Sequence, residues 1–258
     1  MIGLAGEYLE RRRLVWVLAQ RELIARYRGT ALGFLWTFLH PLLLLLVYSL
    51  VFGTFVRIEV EHYPAFLFAG LLPWWWFAKT LAVSSTSLLA DAPWIRQAAF
   101  PASISPLVAN LAGAVDFLLG VPLLIGVLAW QGAPLGVHLL WLPLLVLLQF
   151  VFTLGLGLAA GALSVRFRDT VQLIQALTPI LFFLTPVIYP PSQVPARFEW
   201  LLELNPLTHL IRPYQAVLYE GQAPALWDLG LATAAALVAL AIGAVTLDRL
   251  RDRIPEEL

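Results

Sequence analysis

Six stretches of this sequence are long and apolar enough to cross a lipid bilayer, and they restrict the fold more than any other feature. They cover residues 31–56, 65–90, 104–130, 138–163, 171–189 and 228–247. A helix needs about 20 apolar residues to cross roughly 30 Å of hydrocarbon. Only 12% of the 258 residues are charged, about half the share in an average soluble domain. We therefore expect an all-α integral membrane protein with six transmembrane helices, the first kinked at Pro41.

The arginines are divided unevenly between the segments that flank these stretches. Six precede residue 31, one lies in 91–103, two lie in 164–169 and three follow residue 248, twelve in all. The opposite side has three, Arg57, Arg197 and Arg212. Because positive charges near span ends favour the cytoplasm, both termini are expected there. The predicted domains are an N-terminal segment (1–30), a six-span domain (31–247) and a cytoplasmic tail (248–258).

Residues 14–28 have the pattern of an amphipathic helix. At helical spacing, one face is apolar and most of the arginines lie on the other; the apolar residues are Trp16, Ala19, Leu23, Ile24 and Tyr27. Such a helix lies in the membrane interface with its arginines toward anionic headgroups. A plain basic segment beside the membrane is the alternative.

Two predicted cytoplasmic connections have unusual sequences. Residues 91–100 are expected to form a short helix, with Asp91 as its cap and Pro93 in the first turn. Its Trp94 and Phe100 are expected to be exposed, either docking into a partner's groove or resting on lipid. Residues 164–170 form a tight turn with two arginines and an aspartate, whose charges could serve topology alone.

Residues 190–226 are too long for a plain loop on the other side of the membrane. Residues 196–204 read as a short amphipathic helix, and a second helix begins with Asn205 as cap and Pro206 at its first position, and stops at Gly221. About 15 residues cover about 22 Å, which is too short to cross. The segment is predicted to form re-entrant half-helices over about 195–220, with a flat surface cap as the alternative.

Two charged residues fall inside the apolar stretches. Lys79 is the only lysine, and Asp116 lies in the middle of the third stretch. Each should face protein, water or a partner. They could pair; alternatively, Lys79 could extend toward the interface and Asp116 could bond to a hydroxyl or backbone group.

Three consecutive tryptophans, Trp74 to Trp76, precede Lys79. A helix that starts at 65 would bury Trp74 about 14 Å deep, whereas a helix that starts at Pro73 would leave the three rings at the surface. Spacings of three and four residues place Trp75 and Trp76 on the face of Lys79. Trp74 is then expected to be a lipid or packing anchor.

The sequence contains no motif of a nucleotide, metal or catalytic site. It has no cysteine, no GxxxxGK[ST] and no HExxH, and its four histidines are scattered. We predict no catalytic residue, no metal site and no cofactor in this chain.

Six stretches, in this order and spacing, resemble one family over nearly the whole chain. They are RELIARYRGTALGFLWTFLHPLLLLLVYSLVFG, FLFAGLLPWWWFAKTL, IRQAAFPASISPL, SVRFRDTVQLI, FFLTPVIYP and LNPLTHLIRPYQAVLY. They are similar to the transmembrane subunits of ABC-2 type polysaccharide exporters, which move lipid-linked O-antigen, teichoic acid or similar glycans across the bacterial inner membrane.

The resemblance implies a homodimer that works with two cytoplasmic ATPase subunits, which carry the ATP and Mg. It implies a substrate path between the two copies, lined by aromatic residues. The residues that it assigns to the ATPase contact are Asp91, Trp94, Ile95, Arg96, Phe100, Arg166, Arg168 and Asp169. Those assigned to the channel or substrate are Lys79, Trp75, Trp76, Asp116 and Tyr48, and those assigned to the extracytoplasmic gate are Asn205, Pro206, Arg212 and Tyr214. Arg96 alone supplies positive charge in the loop helix, where the family often has more lysine.

A lipid-linked glycan also needs cationic groups where its diphosphate enters, and Arg26 and Arg28 are the candidates. Other functions stay open: an ABC-2 exporter of a drug or small lipid, an integral membrane enzyme acting on lipid-linked sugars, or a channel or assembly subunit. Against the enzyme, the sequence has no paired carboxylates and no histidine cluster at a membrane face to carry out catalysis.

Overall fold

The protein is a bundle of α-helices, with no β-strand among the residues that the structure describes. The computed structural model describes residues 2–27, 32–97, 100–132, 136–251 and 253–258. The helices are α1 (Ile2–Glu10), α2 (Arg12–Tyr27), α3 (Trp36–Tyr48), α4 (Tyr63–Ala90), α5 (Ala92–Gln97), α6 (Ile104–Trp130), α7 (Leu142–Arg166), α8 (Asp169–Leu184), α9 (Glu199–Leu204), α10 (Pro206–Gln215), α11 (Leu226–Leu250) and α12 (Ile254–Glu257). Two helices continue as π-helices, α3 over Ser49–Phe55 and α10 over Ala216–Glu220.

Within the described residues, five helical segments are long and apolar enough to cross a membrane. They are Trp36–Phe55, Tyr63–Ala90, Ile104–Trp130, Val137–Arg166 and Leu226–Leu250. They match five of the six stretches that the sequence predicts. The remaining stretch overlaps α8, which has 16 residues and ends at Leu184, short of the expected boundary at 189. The all-helical class is confirmed, and the chain is a multi-pass membrane protein.

Helix α4 lies at the centre of the bundle. It packs against α6, α7, α8 and α10, and most of its side chains are buried. The helix runs through Pro73 without a break, so its tryptophans lie about 16–20 Å from its first residue. The Nε2 of Gln149 on α7 donates a 2.7 Å hydrogen bond to the Pro73 carbonyl. A helix that starts afresh at Pro73 is therefore wrong.

Helices α7 and α11 make the most extensive helix contact, and glycines permit it. A Cβ atom added to Gly155 would collide with the backbone of Ala239 and Leu240, and one added to Gly243 would collide with the Gly155 carbonyl. Small residues at such crossings let two backbones approach closely inside a membrane. This contact fixes the last span against the centre of the bundle.

Two apolar helices have little cover within the chain. In α3 and its π-helical continuation few side chains are buried, and in α8 only Phe182 is buried. Large exposed side chains along α8 include Leu173, Ile180 and Phe183. These uncovered faces are what lipid or a second protein chain would contact.

Both termini lie at the same end of the bundle, here called the terminal end. Glu7 on α1 accepts hydrogen bonds there from the Ser103 hydroxyl (2.7 Å) and from Arg251 at the end of α11 (3.1 Å). Tyr8 donates to the Ser103 carbonyl, and burial raises the pKa of its phenol to about 12. The phenol therefore stays a hydrogen-bond donor at neutral pH. The end of the bundle that holds α9 and α10 is called the opposite end.

Candidate functional site: an aromatic cavity and two polar ends

Lys79 on α4 and Asp116 on α6 form an ion pair, which settles an alternative that the sequence leaves open. The Lys79 Nζ lies 2.6 Å from Asp116 Oδ2. The lysine side chain is 49% exposed and the aspartate 17%. Asp116 lies 12 residues, or about 18 Å, from the first residue of α6 at the terminal end. The pair is thus well inside the bundle and opens to its surface at the lysine.

The ion pair is one wall of a cavity of about 600 Å³ between α3, α4 and α6. Trp75 and Trp76 both line it, so they share this space with Lys79 as the helical spacing indicates. Trp76 is buried and fixed: its Nε1 donates to Asn110 Oδ1 at 3.3 Å, and Asn110 Nδ2 donates to the Phe150 carbonyl at 2.9 Å. The cavity therefore has one rigid aromatic wall.

Trp74 points away from this cavity. Its ring is buried between Phe77 and Phe182, with centroid distances of 5.6 and 5.3 Å. It packs α4 against α8. Tyr48, which the family resemblance assigns to the substrate path, also packs on Phe182 (6.0 Å) and is not part of the cavity lining.

At the terminal end, helix α5 presents one exposed tryptophan. Trp94 is 55% exposed and Arg96 is also exposed. Ile95, in contrast, is buried in a second hydrophobic core shared by α2, α4, α6, α7 and α12, and Phe100 packs against the same core. Phe100 is thus partly buried rather than exposed as the sequence predicts, and Ile95 anchors the helix; a role for either in the ATPase contact stays a prediction. The reason is that α5 folds back onto the bundle.

The turn after α7 lies at the same end, and the C-terminal helix supports it. Phe167, Arg168 and Asp169 are exposed, and Arg166 Nη1 lies 2.6 Å from Glu257 Oε1 on α12. Ile254 on α12 is 1% exposed, and α12 contacts both α5 and α7. The tail thus connects the two predicted docking elements, which nothing in its short, mixed sequence indicates.

The N-terminal helix packs differently from the sequence prediction. Val15 and Ala19 of α2 face the bundle and are buried, while Trp16 and Ile24 are exposed. The buried face of α2 is therefore rotated by about one residue from the apolar face that the sequence predicts. The reason is that α2 packs against α6. The side chain of Arg26 and all of Arg28 lie outside the described residues.

At the opposite end, α9 and α10 form the two short helices that the sequence predicts. Asn205 caps α10, since its Oδ1 accepts from the Leu207 amide at 3.0 Å, and Gly221 ends the helix with φ 68°. Pro206 is the first residue of α10. Tyr214 is fully buried and its ring meets Phe117 edge-on at 5.7 Å.

A partly buried polar network connects these short helices to α11, with His209 and Asp228 as its covered members. His209 Nδ1 lies 2.7 Å from Asp228 Oδ1, and its Nε2 lies 3.0 Å from the Glu203 carbonyl. Arg212 Nη1 lies 3.1 Å from Glu203 Oε1 and 3.7 Å from Asp228 Oδ1. The Glu203 carbonyl can only accept, so its hydrogen bond with the ring requires a hydrogen on Nε2. The sequence gives no sign of a role for Asp228, because its partner His209 lies on a different helix.

No group of three or more histidine and acidic side chains within the described residues could hold a metal ion. The polar elements of the described residues are instead an ion pair in an aromatic cavity, exposed aromatic and charged residues at one end and two short helices at the other. Together with the long apolar helices, they define a polytopic helical membrane protein.

Comparison with known proteins assigns the family. Residues 13–219 match the family model described as ABC-2 type transporter. The chain is similar over its full length to the O-antigen export system permease protein RfbA of Myxococcus xanthus, with 35% identity over 260 residues and 100% of both chains covered. It is 30% identical to the RfbA protein of Klebsiella pneumoniae over 209 residues, with 81% of both covered. It is 24% identical to the capsule polysaccharide export inner-membrane protein CtrC of Neisseria meningitidis over 213 residues, with 81% of this chain and 80% of CtrC covered. The chain belongs to the ABC-2 type transporter family, and the resemblance to its polysaccharide exporters is confirmed.

Proposed function

We propose that this chain is the permease subunit of an ATP-driven exporter that moves a lipid-linked polysaccharide from the cytoplasm across the bacterial inner membrane. The observation that carries the proposal is the full-length similarity to a protein named as an O-antigen export permease. Similarity to proteins named for capsule polysaccharide export and polysialic acid transport supports a glycan over a small drug or lipid. All of these relatives are named for export or transport, which disfavours an enzyme.

Energy for export comes from two separate ATPase subunits, each bound at the terminal end, which faces the cytoplasm. Trp94 and Arg96 on α5 insert into the ATPase, and the exposed Arg168 and Asp169 form the second contact. Asp91 supports α5, because its carbonyl accepts the backbone amides of Trp94 and Ile95 at 2.9 and 3.1 Å. Arg166 holds its turn through Glu257. The rigid second core beneath α5 suits a surface that transmits force.

Two copies of the chain pair through the uncovered faces of α3 and α8. These faces are apolar and have few covering residues within one protomer. Helix α8 covers about 24 Å and, with the buried residues 185–188 that follow it, completes a sixth crossing. The substrate path runs between the two copies, with Tyr48 and the cavity of Lys79 and Asp116 beside it.

The short helices at the opposite end form a re-entrant gate on the extracytoplasmic side. Irregular backbone at membrane depth is stable where protein surrounds it, and α10 is buried along most of its length. Asn205 and Pro206 set the start of α10, while Arg212 and Tyr214 fix it to α9, α11 and α6. Arg26 and Arg28 receive the lipid diphosphate at the cytoplasmic entrance.

ATPase measurements on the reconstituted complex test this function. The permease is reconstituted with its partner ATPase in lipid nanodiscs, and hydrolysis is measured with lipid-linked glycan, with the lipid carrier alone and with small amphiphiles. We expect the lipid-linked glycan to stimulate hydrolysis more than the other two. Stimulation by small amphiphiles alone would overturn the assignment of a glycan substrate.

A further inference from the structure

A groove of about 320 Å³ lies at the terminal end, between α1, the segment before α6 and the last span, α11. Its volume is at the lower end of the range for small-ligand sites, about 300–1,000 Å³. Glu7, Ser103, Asp248 and Arg251 form its polar part. None of its described lining residues belongs to α3 or α8, the helices proposed to pair two copies. The proposed glycan export uses none of these residues.

One carboxylate of the groove is held in place by two neighbours. Glu7 Oε2 accepts a 2.7 Å hydrogen bond from the Ser103 hydroxyl, and Glu7 Oε1 lies 3.1 Å from Arg251 Nη2. Ser103 is 2% exposed, and its carbonyl accepts a hydrogen bond from Tyr8, so this corner is anchored to α1. The polar floor of the groove is therefore preorganised, which lowers the entropy cost of binding a ligand.

Two charged groups of the groove keep binding capacity for a ligand. The Arg251 side chain is 63% exposed and uses one nitrogen for Glu7, so other N–H groups of its guanidinium are available. Asp248 is exposed, and its carboxylate makes no hydrogen bond or ion pair with any residue that the structure describes. The groove thus offers a donor for an anion and an acceptor for a cation, one helical turn apart on α11.

The groove continues toward the membrane interior as an apolar surface. Ala241, Ala244 and Val245 line it, and their positions before Asp248 on the helix place them about 5–10 Å deeper. They belong to a helix that is long and apolar enough to cross a membrane, and Val245 is 49% exposed. A ligand here has its charged part at the membrane surface and its apolar part in the hydrocarbon, as a phospholipid does. A water-soluble protein does not reach this depth.

The charges of the groove favour one class of phospholipid. A primary ammonium group donates up to three hydrogen bonds and can bond to Asp248, while the neighbouring phosphate bonds to Arg251. A choline headgroup has the same charges but no N–H group to donate. A glycerol headgroup brings a negative charge without a positive one, and the carboxylates of Glu7 and Asp248 oppose it.

We infer that this groove binds one phospholipid whose headgroup carries a primary ammonium group, as in phosphatidylethanolamine. The lipid contacts the last span through Asp248 and Arg251, and it contacts α1 through the corner that Glu7 forms with Arg251. It therefore joins the N-terminal helix to the end of the last span. The site goes beyond the proposed export, since the bound lipid is a structural partner and not the transported glycan.

Native mass spectrometry of the intact permease tests the site. The purified and delipidated protein is titrated in detergent with dioleoyl phosphatidylethanolamine, phosphatidylcholine or phosphatidylglycerol, which differ only in their headgroups. Wild type is compared with Asp248→Asn, Arg251→Gln and Glu256→Gln. Glu256 is the matched control, because it is an exposed carboxylate at the same end that does not line the groove. Gel filtration checks that each variant is folded.

We expect wild type and Glu256→Gln to bind phosphatidylethanolamine about tenfold more tightly than phosphatidylcholine, the effect of one hydrogen bond to a charged group. Phosphatidylglycerol should also bind more weakly than phosphatidylethanolamine. Asp248→Asn should remove most of the preference over phosphatidylcholine, because it removes the carboxylate that accepts from the ammonium. Arg251→Gln should weaken both zwitterionic lipids about tenfold, because it removes the donor to their phosphate.

The inference is overturned if wild type binds none of the three lipids or shows no preference for phosphatidylethanolamine. A wild-type preference that Asp248→Asn retains would place the ammonium group elsewhere and would also overturn it. Unchanged binding by Arg251→Gln would do the same for the phosphate. Neither the ATPase nor a glycan is present in this measurement, so its result is independent of the proposed function.

Discussion

Lys79 and Asp116 are charged residues within apolar helices, where an unpaired charge is energetically unfavourable. Each has the other at 2.6 Å, and the lysine reaches the surface of the bundle while the aspartate is mostly covered. Removing one partner leaves a charge in poorly solvated surroundings, whereas removing both leaves none. The pair therefore stabilises the contact between α4 and α6 only as long as both members are present.

We predict that Lys79→Met and Asp116→Leu each destabilise the permease, by about 1–3 kcal/mol, a range between those of exposed and buried pairs. The double variant should be more stable than the sum of the two effects indicates. Thermal unfolding in detergent, followed by the monodisperse fraction, measures this. Additive losses would show that the pair is not energetically coupled.

His209 and Asp228 form a second pair, which is nearly fully buried. We expect His209→Phe to leave Asp228 with only Arg212 nearby and to destabilise the protein by about 3 kcal/mol. His138→Phe is the matched control, because that histidine lies outside the network. The measurement is again thermal unfolding, and equal stability of the two variants would argue against a structural role for the pair.

At the scale of elements, the sequence predicts well where the long apolar helices lie. It predicts poorly whether their apolar residues face lipid or other parts of the protein. The third stretch, 104–130, coincides with α6, and the second differs from α4 by two residues. The fifth is wrong at its end: Val187 and Ile188 are as apolar as lipid-facing residues, yet they are buried inside the protein after α8 has ended. Hydropathy cannot distinguish these two apolar environments, and it cannot detect contacts such as His209 with Asp228 between distant segments. The shared face of Trp75, Trp76 and Lys79 was predictable because it depends only on helical spacing.

Two glycines of α11 allow the effect of steric space at the crossing with α7 to be distinguished from the effect of helix propensity. Gly243→Ala introduces a methyl group into the backbone of α7 and should cost about 1–3 kcal/mol. Gly230→Ala, on the same helix, meets no atom within 4 Å and should be neutral or stabilising by up to about 1 kcal/mol. Thermal unfolding of the two variants tests it. A loss of stability in both would mean that close approach is not what these glycines provide.

At the scale of the whole molecule, the proposed ATP-driven export requires force to enter at one end of the bundle and to act on segments at the other. The second core joins α5 to α2, α7 and α12 beneath the proposed docking surface. Helix α4 then runs from α5 to the opposite end, where it meets α10. A continuous path of packed helices therefore joins α5 to α10.

Trp94→Ala and Arg96→Glu should weaken co-purification of the ATPase by at least tenfold and leave the membrane bundle folded, because both side chains project from it. Trp130→Ala, which removes an exposed tryptophan elsewhere, is the control. Affinity capture of the complex from solubilised membranes measures the effect. Full co-purification with both docking variants would place the ATPase contact elsewhere.

Vectorial transport by the purified complex tests the central claim most directly. Proteoliposomes are prepared with the permease and its ATPase, and only complexes with the ATPase outside are energised by external ATP. Lipid-linked glycan is supplied in the outer leaflet and becomes protected from an added glycosidase once it is inside. The account predicts ATP-dependent protection of the glycan, lost when the permease is omitted. ATP hydrolysis without protection of glycan, accompanied by uptake of small amphiphiles, would contradict it.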